Sequence, residues 1–566
     1  MKTDKFHFFS LLAIFTLFQY FVGGYYAFYC AFGAILLAVL LLINVFRTKK
    51  LTVSLSLSAA VLALFAVSYL VTKFWAVDKS MSLYGFSKFM VPILFALNLW
   101  QVDSEDRPKI LYSLPASATL MTVIGLLLGQ LDRLHSVFFD KAGDFHGLFE
   151  YANGFAIYLL IAVIISVLKP KKNAKIIALD SVCAAVCAAG IYLTKSKAVF
   201  ALSAATIVMI AFVFVLRMQK TRKKKTVFIC AVAGLGVIAL IVLAATGILS
   251  KLFTYVMTYG TVVERQIYWK DAFLYALHHP FGKGEYAFYY VQPEIQSASY
   301  YAIDVHNDFI QMCVEIGFIP TIAFVVMLVK SFVSRKTDVL SKFVLAAISL
   351  HAFFDFDLQF MSVFLILVLC LEFEREKTFE IQNKFFPSMI CIALVVFNVI
   401  MGLSGYFNHT GRQVKSLYYY KNTSALLIVL QNTNEQQAAY ELATDLLEIN
   451  DNVFEANYTL SRVYEANDRY DEAIEQMELV LKKSPRDMDN YENYIDLCQK
   501  ASEYYSKTGD SEKQTECLKK IASVSDRLSQ LEKNTDEKAK KYMARQKFKV
   551  DEEHQTLIKQ AKENLK

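Results

Sequence analysis

Up to residue 405 the chain reads as a succession of apolar runs of about 17–25 residues, each long enough to cross a hydrocarbon core of about 30 Å. Such runs fall at 6–22, 25–46, 51–73, 84–101, 109–130, 149–168, 174–193, 197–216 and 226–249. They resume, after one long polar gap, at 306–332, 339–354, 358–373 and 385–405. The pattern predicts an all-α fold, a polytopic bundle of about 12–13 spans over residues 1–405. The gap at 251–305 holds Arg265, Trp269, His279-Pro280-Phe281-Gly282-Lys283-Gly284 and nine tyrosines from Tyr255 to Tyr301. One large irregular loop between spans is where a membrane protein places recognition or chemistry.

Beyond residue 405 the apolar runs stop and charged helical periodicity begins. Leu460, Tyr464, Ala473 and Pro485 occupy the Leu, Tyr, Ala and Pro positions of a 34-residue tetratricopeptide pattern. Ala439 holds the small position one period earlier; Tyr491 and Tyr494 open a weaker match one period later. Residues 406–510 are therefore expected to form a short TPR-like helical array. Residues 511–566 read as a charged helical or partly disordered tail. The array fits either a groove for a protein partner or a structural cap for the loop.

Charge sets the sidedness. Basic connections occur at Arg47-Thr48-Lys49-Lys50, Lys169 to Lys175, Arg217 to Lys225, Arg335-Lys336 and Arg375 to Lys384. An even number of predicted crossings separates every pair, so all lie on one side, the cytoplasmic side by the positive-inside rule. The 251–305 loop and everything after 405 then face outward. The net charge of +7 follows from this bias and a basic tail, with no nucleic-acid signature. A 55% hydrophobic composition excludes an ordinary soluble protein. The first run lacks a small-x-small cleavage site and is read as a retained span. Seven of the nine cysteines lie in apolar runs; Cys498 and Cys517, in the outer region, have the option of pairing.

Ionisable residues near membrane are costly, and four groups converge at the outer ends of spans. They are Asp144 to Asn153 with His146, the turn Thr194-Lys195-Ser196-Lys197, the loop with Arg265 leading to His306-Asn307, and His351 with Asp355, expected four apart on one helix face. Lysine, arginine and histidine without carboxylates at metal-binding spacing suit a pyrophosphate. Tyrosines and Trp269 offer flat faces for sugar rings, and a histidine is the natural base for a sugar hydroxyl. Plainer roles also fit: Arg265 at lipid headgroups, His306 as a helix cap, His351–Asp355 as a structural pair, and the lysines snorkelling to phosphate. Several tyrosines fit an interfacial belt, and Glu315 a packed helix residue.

Three stretches together resemble the O-antigen ligase/polymerase family of polytopic glycosyltransferases. Gly147-Leu148-Phe149-Glu150-Tyr151-Ala152-Asn153 resembles its Gly-x-x-x-x-x-Asn segment, and Thr194-Lys195-Ser196-Lys197 its Thr-x-Ser-Arg turn. Arg265-x-x-x-Trp269, His279-Pro280-x-Gly282-x-Gly284 and His306-Asn307 with Glu315-x-Gly317 resemble its long outer loop and the span after it. The resemblance covers roughly residues 140–360. It implies transfer of a glycan from an undecaprenyl-pyrophosphate-linked donor, independent of metal and without a cofactor, at the outer face of a bacterial inner membrane. It implies His306 and Arg265 as catalytic residues, with Lys197 beside Arg265 on the leaving group. Lys195, His146, Asn153, Trp269, Lys283, Asn307, His351 and Asp355 complete the substrate-binding set. Lys197 and His146 stand where arginines are usual, which weakens bidentate phosphate contact.

The acceptor stays open between glycan, lipid and protein, and so does polymerase against ligase. The alternatives are a transporter or flippase of a lipid-linked or anionic substrate, whose charges belong near mid-membrane, and a non-catalytic assembly scaffold acting through its repeats.

Overall fold

Every apolar run contains at least one helix. The computed structural model describes residues 5–170, 173–219, 221–373, 378–543 and 546–566. The basic residues Lys171, Lys172, Lys220, Arg375 and Lys377 and the start of the chain, 1–4, lie outside the described residues. Among the described residues eight helices are long and apolar enough to cross a membrane, from Ala27–Thr48 to Phe385–His409. Four shorter apolar helices accompany them: Ala152–Leu168, Phe318–Val333, Val339–Ala352 and Met361–Cys370.

Burial separates the centre of the bundle from its rim. Ala152–Leu168 and Met361–Cys370 are almost wholly enclosed, with Phe155, Tyr158, Phe364 and Leu365 at 0% exposure. By contrast Arg222–Ala245, whose apolar window is the most hydrophobic of the eight at a mean hydropathy of 3.0, has no buried side chain among its described residues. Apolar side chains on that scale need lipid as their solvent.

Three expectations change. The run expected as a span from Leu51 begins instead as a strand, Leu51–Ser54, antiparallel to Thr378–Ile381. Alternating Leu-Thr-Val-Ser favours the pleat, and Ser56 then caps the helix that starts at Leu57, its Oγ accepting from Ala59 N–H at 3.3 Å. The pairing, with Lys50 to Glu380 at 2.6 Å, brings two of the basic connections together on one face. The expected irregular loop is mostly helical: Ile248–Met257, Gly260–His278 and Ala287–Ile295. Likewise the run at 306–332 is two helices, Asp308–Ile316 and Phe318–Val333, broken at Gly317.

That break explains the His-Pro-x-Gly-x-Gly stretch. Lys283 N–H donates to Val314 O at 2.7 Å, Gly284 N–H to Glu315 O at 2.8 Å, and Phe318 N–H to Pro280 O at 3.0 Å. A Cβ on Gly282 would sit 2.4 Å from Glu315 O, and one on Gly317 2.5 Å from Pro280 O, both at positive φ. Only glycine permits this backbone-on-backbone contact. The stretch is a seam that fastens the loop to the helix after it.

After Phe385–His409 the chain continues as helices packed neighbour on neighbour: Gln436–Ile449, Phe454–Glu465, Tyr470–Lys483, Met488–Thr508 and Ser511–Lys533. Ala439 and Ala473, at 7% and 0% exposure, sit where helices approach closely. Most of 511–566 is ordered helix, and it returns to the loop. Asp536 N–H donates to Ser297 O at 3.0 Å, and Gln546 exchanges two hydrogen bonds with the Ser299 backbone. Arg486 donates to Gln296 O and to Thr535 Oγ1, both at 2.8 Å. All nine cysteines are free; Cys498 and Cys517 are buried and unpaired.

Candidate active site

The site is built around one buried carboxylate. Helix Val339–Ala352 ends before Asp355, so His351 and Asp355 do not share a helix face as expected. His351 turns instead to Asp357, Nδ1 to Oδ2 at 2.7 Å, and Asp355 is released to receive donors from three other segments. Tyr151 OH donates to both its oxygens at 2.8 Å, and Asn153 Nδ2 to Oδ2 at 2.9 Å. His306 Nδ1 lies 3.0 Å from Oδ1, Phe356 N–H at 3.1 Å, and Arg265 Nη2 at 3.5 Å from Oδ2.

Local backbone sets these side chains. Glu150 and His306 hold positive φ, 57° and 50°, a conformation that costs a non-glycine residue about 1–3 kcal/mol and is concentrated at functional sites. At Glu150 it swings Tyr151 into the start of Ala152–Leu168. At His306 the strain is held from both sides. Trp269 Nε1 donates to His306 O at 3.1 Å. Asn307 caps Asp308–Ile316, its Oδ1 accepting from Phe309 and Ile310 N–H, and its Nδ2 donates to Phe353 O at 3.0 Å. Arg265, on Gly260–His278, also donates to Phe354 O.

Electrostatics follow from this packing. Burial alone would raise the Asp355 carboxyl, but the His306 hydrogen bond and charge, with Arg265 beside it, hold it well below the usual carboxylate range. An ionised carboxylate only accepts, so Nδ1 of His306 carries the proton. In the neutral ring Nε2 presents the lone pair, and it has no hydrogen-bond partner among the described residues. Tyr268 and Phe356 flank the ring at centroid distances of 5.7 and 4.9 Å. The arrangement can orient an imidazole as a base beside a fixed guanidinium.

The other expected residues disperse. Lys197 Nζ donates to Tyr259 OH at 2.9 Å, at the start of the helix that carries Arg265 six residues on, about 9 Å at the helical rise. Lys195 is turned away. At φ 53° it closes the helix before it, and its Nζ meets Asp144 at 2.7 Å. His146 is buried with Nδ1 against its neighbour's carbonyl, Gly147 O, at 3.1 Å. Lys283 lines a separate cavity with Lys79, Tyr275 and His279. Tyr151 joins the site without having been expected there, and its place two residues before Asn153 is the signal for it.

Reasoning from sequence also missed a buried polar group built from the loop and its neighbours. Lys88, 4% exposed, donates to Gln359 Oε1 at 2.6 Å, and Tyr25 OH donates to Asp304 Oδ2 at 2.9 Å. Burial pushes the nearby Glu285 carboxyl up to about 7. Glu315, read as a packed helix residue, accepts from Tyr69 OH and Gln311 Nε2, both at 2.6 Å.

Residues 182–325 match the family model described as O-antigen ligase. The matched segment carries Lys195, Lys197, Arg265, Trp269 and His306, and it ends before Asp355. No curated protein matches the chain.

Proposed function

We propose that this chain, which carries an O-antigen ligase domain over residues 182–325, transfers or polymerises glycan from an undecaprenyl-pyrophosphate-linked donor at the outer face of the inner membrane. An acceptor hydroxyl attacks the anomeric carbon of the donor. Its proton passes to Nε2 of His306 while the new C–O bond forms and the bond to pyrophosphate breaks. Asp355 stabilises the imidazolium, and Tyr151 and Asn153 keep Asp355 in place. Arg265 and Lys197 hold the leaving pyrophosphate, so side chains supply the charge neutralisation that a metal ion provides elsewhere. The helices after 405 form a repeat domain that steadies the loop.

The observation that carries this reading is the convergence of His306, Arg265 and Tyr151 on Asp355. His306, Tyr151 and Asp355 stand in connections and at helix ends, and Arg265 on a helix of the loop, whereas a transporter's charges belong in broken helices at mid-membrane. The test is complementation of a surface-polysaccharide defect by Arg265→Ala and His306→Ala, with membrane levels checked. Neither variant is expected to restore polymer; full restoration by both refutes catalysis at this site. Lipid-linked single repeats accumulating in the null strain mark a polymerase, and long lipid-linked chains a ligase.

A further inference from the structure

A second site lies away from the Asp355 cluster. A cavity of about 760 Å³ opens where the connection before Met81, the loop helices and the end of helix Gln436–Ile449 meet. Its walls are fixed by backbone. Val77 N–H donates to Lys283 O at 2.9 Å and Lys79 N–H to Ile449 O at 3.4 Å, while Asn450 Nδ2 donates to the buried Asp78 carboxylate at 3.0 Å. The volume lies within the range of about 300–1,000 Å³ usual for small-ligand sites.

The lining has a definite chemistry. Tyr275 and His279 offer adjacent rings with centroids 4.2 Å apart, and His279 is steadied by its Nδ1 contact to Tyr275 O at 2.9 Å. Around them stand Lys79, Lys283, Glu294 and Asp451. Ammonium groups donate only and carboxylates accept only, so the mixture favours neither a polyanion nor a polycation. A ligand whose hydroxyls both donate and accept, and whose ring faces are apolar, satisfies both kinds of wall.

We propose that this cavity is a saccharide-binding subsite, holding glycan several sugars away from the reacting end. The inference rests on the glycosyltransferase reading and adds where the remainder of the sugar chain lies. Arg265 and Tyr275 are on one helix, Gly260–His278, and ten residues at the helical rise separate them by about 15 Å. A glycan whose end is at His306 therefore follows this helix to the cavity. The third wall comes from residues 447–452, which gives the helices after 405 a direct role in glycan contact.

The test uses the full-length protein in detergent. Oligosaccharides released from the host's own surface polymer are titrated by calorimetry into the native protein and variants. Binding is expected to weaken about tenfold or more, the size of one lost stacking or hydrogen-bonding contact, in Tyr275→Ala and in Glu294→Ala. Glu294 is exposed, so its variant keeps the fold. Arg265→Ala is expected to bind as tightly as the native protein. No binding at millimolar oligosaccharide, or equal affinity in all variants, overturns the subsite. The catalytic reading is judged apart, by polymer in cells. Loss of polymer in Arg265→Ala with no oligosaccharide binding refutes only the subsite. Binding at the cavity with full polymer in both Arg265→Ala and His306→Ala refutes only the catalysis.

Discussion

Asp355→Asn is the most informative single change, because it keeps shape while removing the charge on which the site converges. Asp355 is 0% exposed and accepts from Tyr151, Asn153, His306, Phe356 and Arg265. An amide replaces one acceptor oxygen by a donor. If the amide nitrogen takes the Oδ2 side, it faces Asn153 Nδ2 and Arg265; if it takes the Oδ1 side, it faces His306. Either way a buried donor is left unsatisfied, at about 1–3 kcal/mol. The anion that stabilises the imidazolium is also lost, an electrostatic effect taken to be at least the size of one removed oxyanion-hole donor, about 2.7–4 kcal/mol. At about 1.4 kcal/mol per tenfold the rate of glycan transfer falls by about 10²–10³. The assay is single-turnover transfer from lipid-linked donor in membrane vesicles, with protein level measured in the same vesicles. The double variant His306→Ala/Asp355→Asn is expected to be no slower than His306→Ala, since the carboxylate acts through the imidazole. Retention of more than about a third of native activity, or simple multiplication of the two losses, refutes the coupling.

Three other changes test separate parts of the molecule. Gly317→Ala drives a Cβ to 2.5 Å from Pro280 O at φ 87° and is expected to cost more than about 2 kcal/mol, read as thermal stability in detergent. Gly411→Ala, with no atom within 4 Å, costs about 1 kcal/mol from φ alone; equal losses contradict the seam. Lys197→Met is expected to lower kcat and kcat/KM for the lipid-linked donor together, about tenfold or more, as loss of a charge on the leaving pyrophosphate requires; an unchanged kcat takes Lys197 off the leaving group. His554 lies between Asp551 at 2.6 Å and Asp496 at 3.2 Å; burial lowers its pKa, but the two carboxylates win and raise it above 6.5. Its contribution is complete below pH 6.5 and is lost as pH rises through the raised folded value. Amide exchange across Glu552–Asn564 should therefore be slower at pH 6 than at pH 9, after correction for intrinsic rates, and equal protection refutes the staple.

The all-α bundle was legible because lipid demands long apolar runs, and those runs are visible without any tertiary information. Strand Leu51–Ser54 was not, since four residues at the head of an apolar run look like the helix that follows until Thr378–Ile381 supplies a partner. Arg265, His306 and Asn153 were recognisable as unusual polar residues at span ends. The role of Asp355 was obscured by spacing: four residues after His351 implies one helix face, and only the helix end at Ala352 breaks that inference. Lys88 and Asp304 were hidden because a residue's partner across the fold leaves no trace in its own neighbourhood. Lys195 and Lys283 show the reverse error. Charge and position nominated them, and backbone geometry then turned them to Asp144 and to the second cavity.

The contacts from Asp536 and Gln546 to Ser297 and Ser299 of the loop also impose an order in time. Asp536 and Gln546 are fastened to a loop made far earlier in the chain. At ribosomal rates of about 5–20 residues per second, on the order of 10–50 seconds separate synthesis of Ser297 from that of Asp536. During that interval the chain still has to make the apolar helices from Phe318–Val333 to Phe385–His409, and the loop lacks its latch. The latch on the loop therefore closes only after every apolar helix of the bundle has been made, and the ribosome sets the delay.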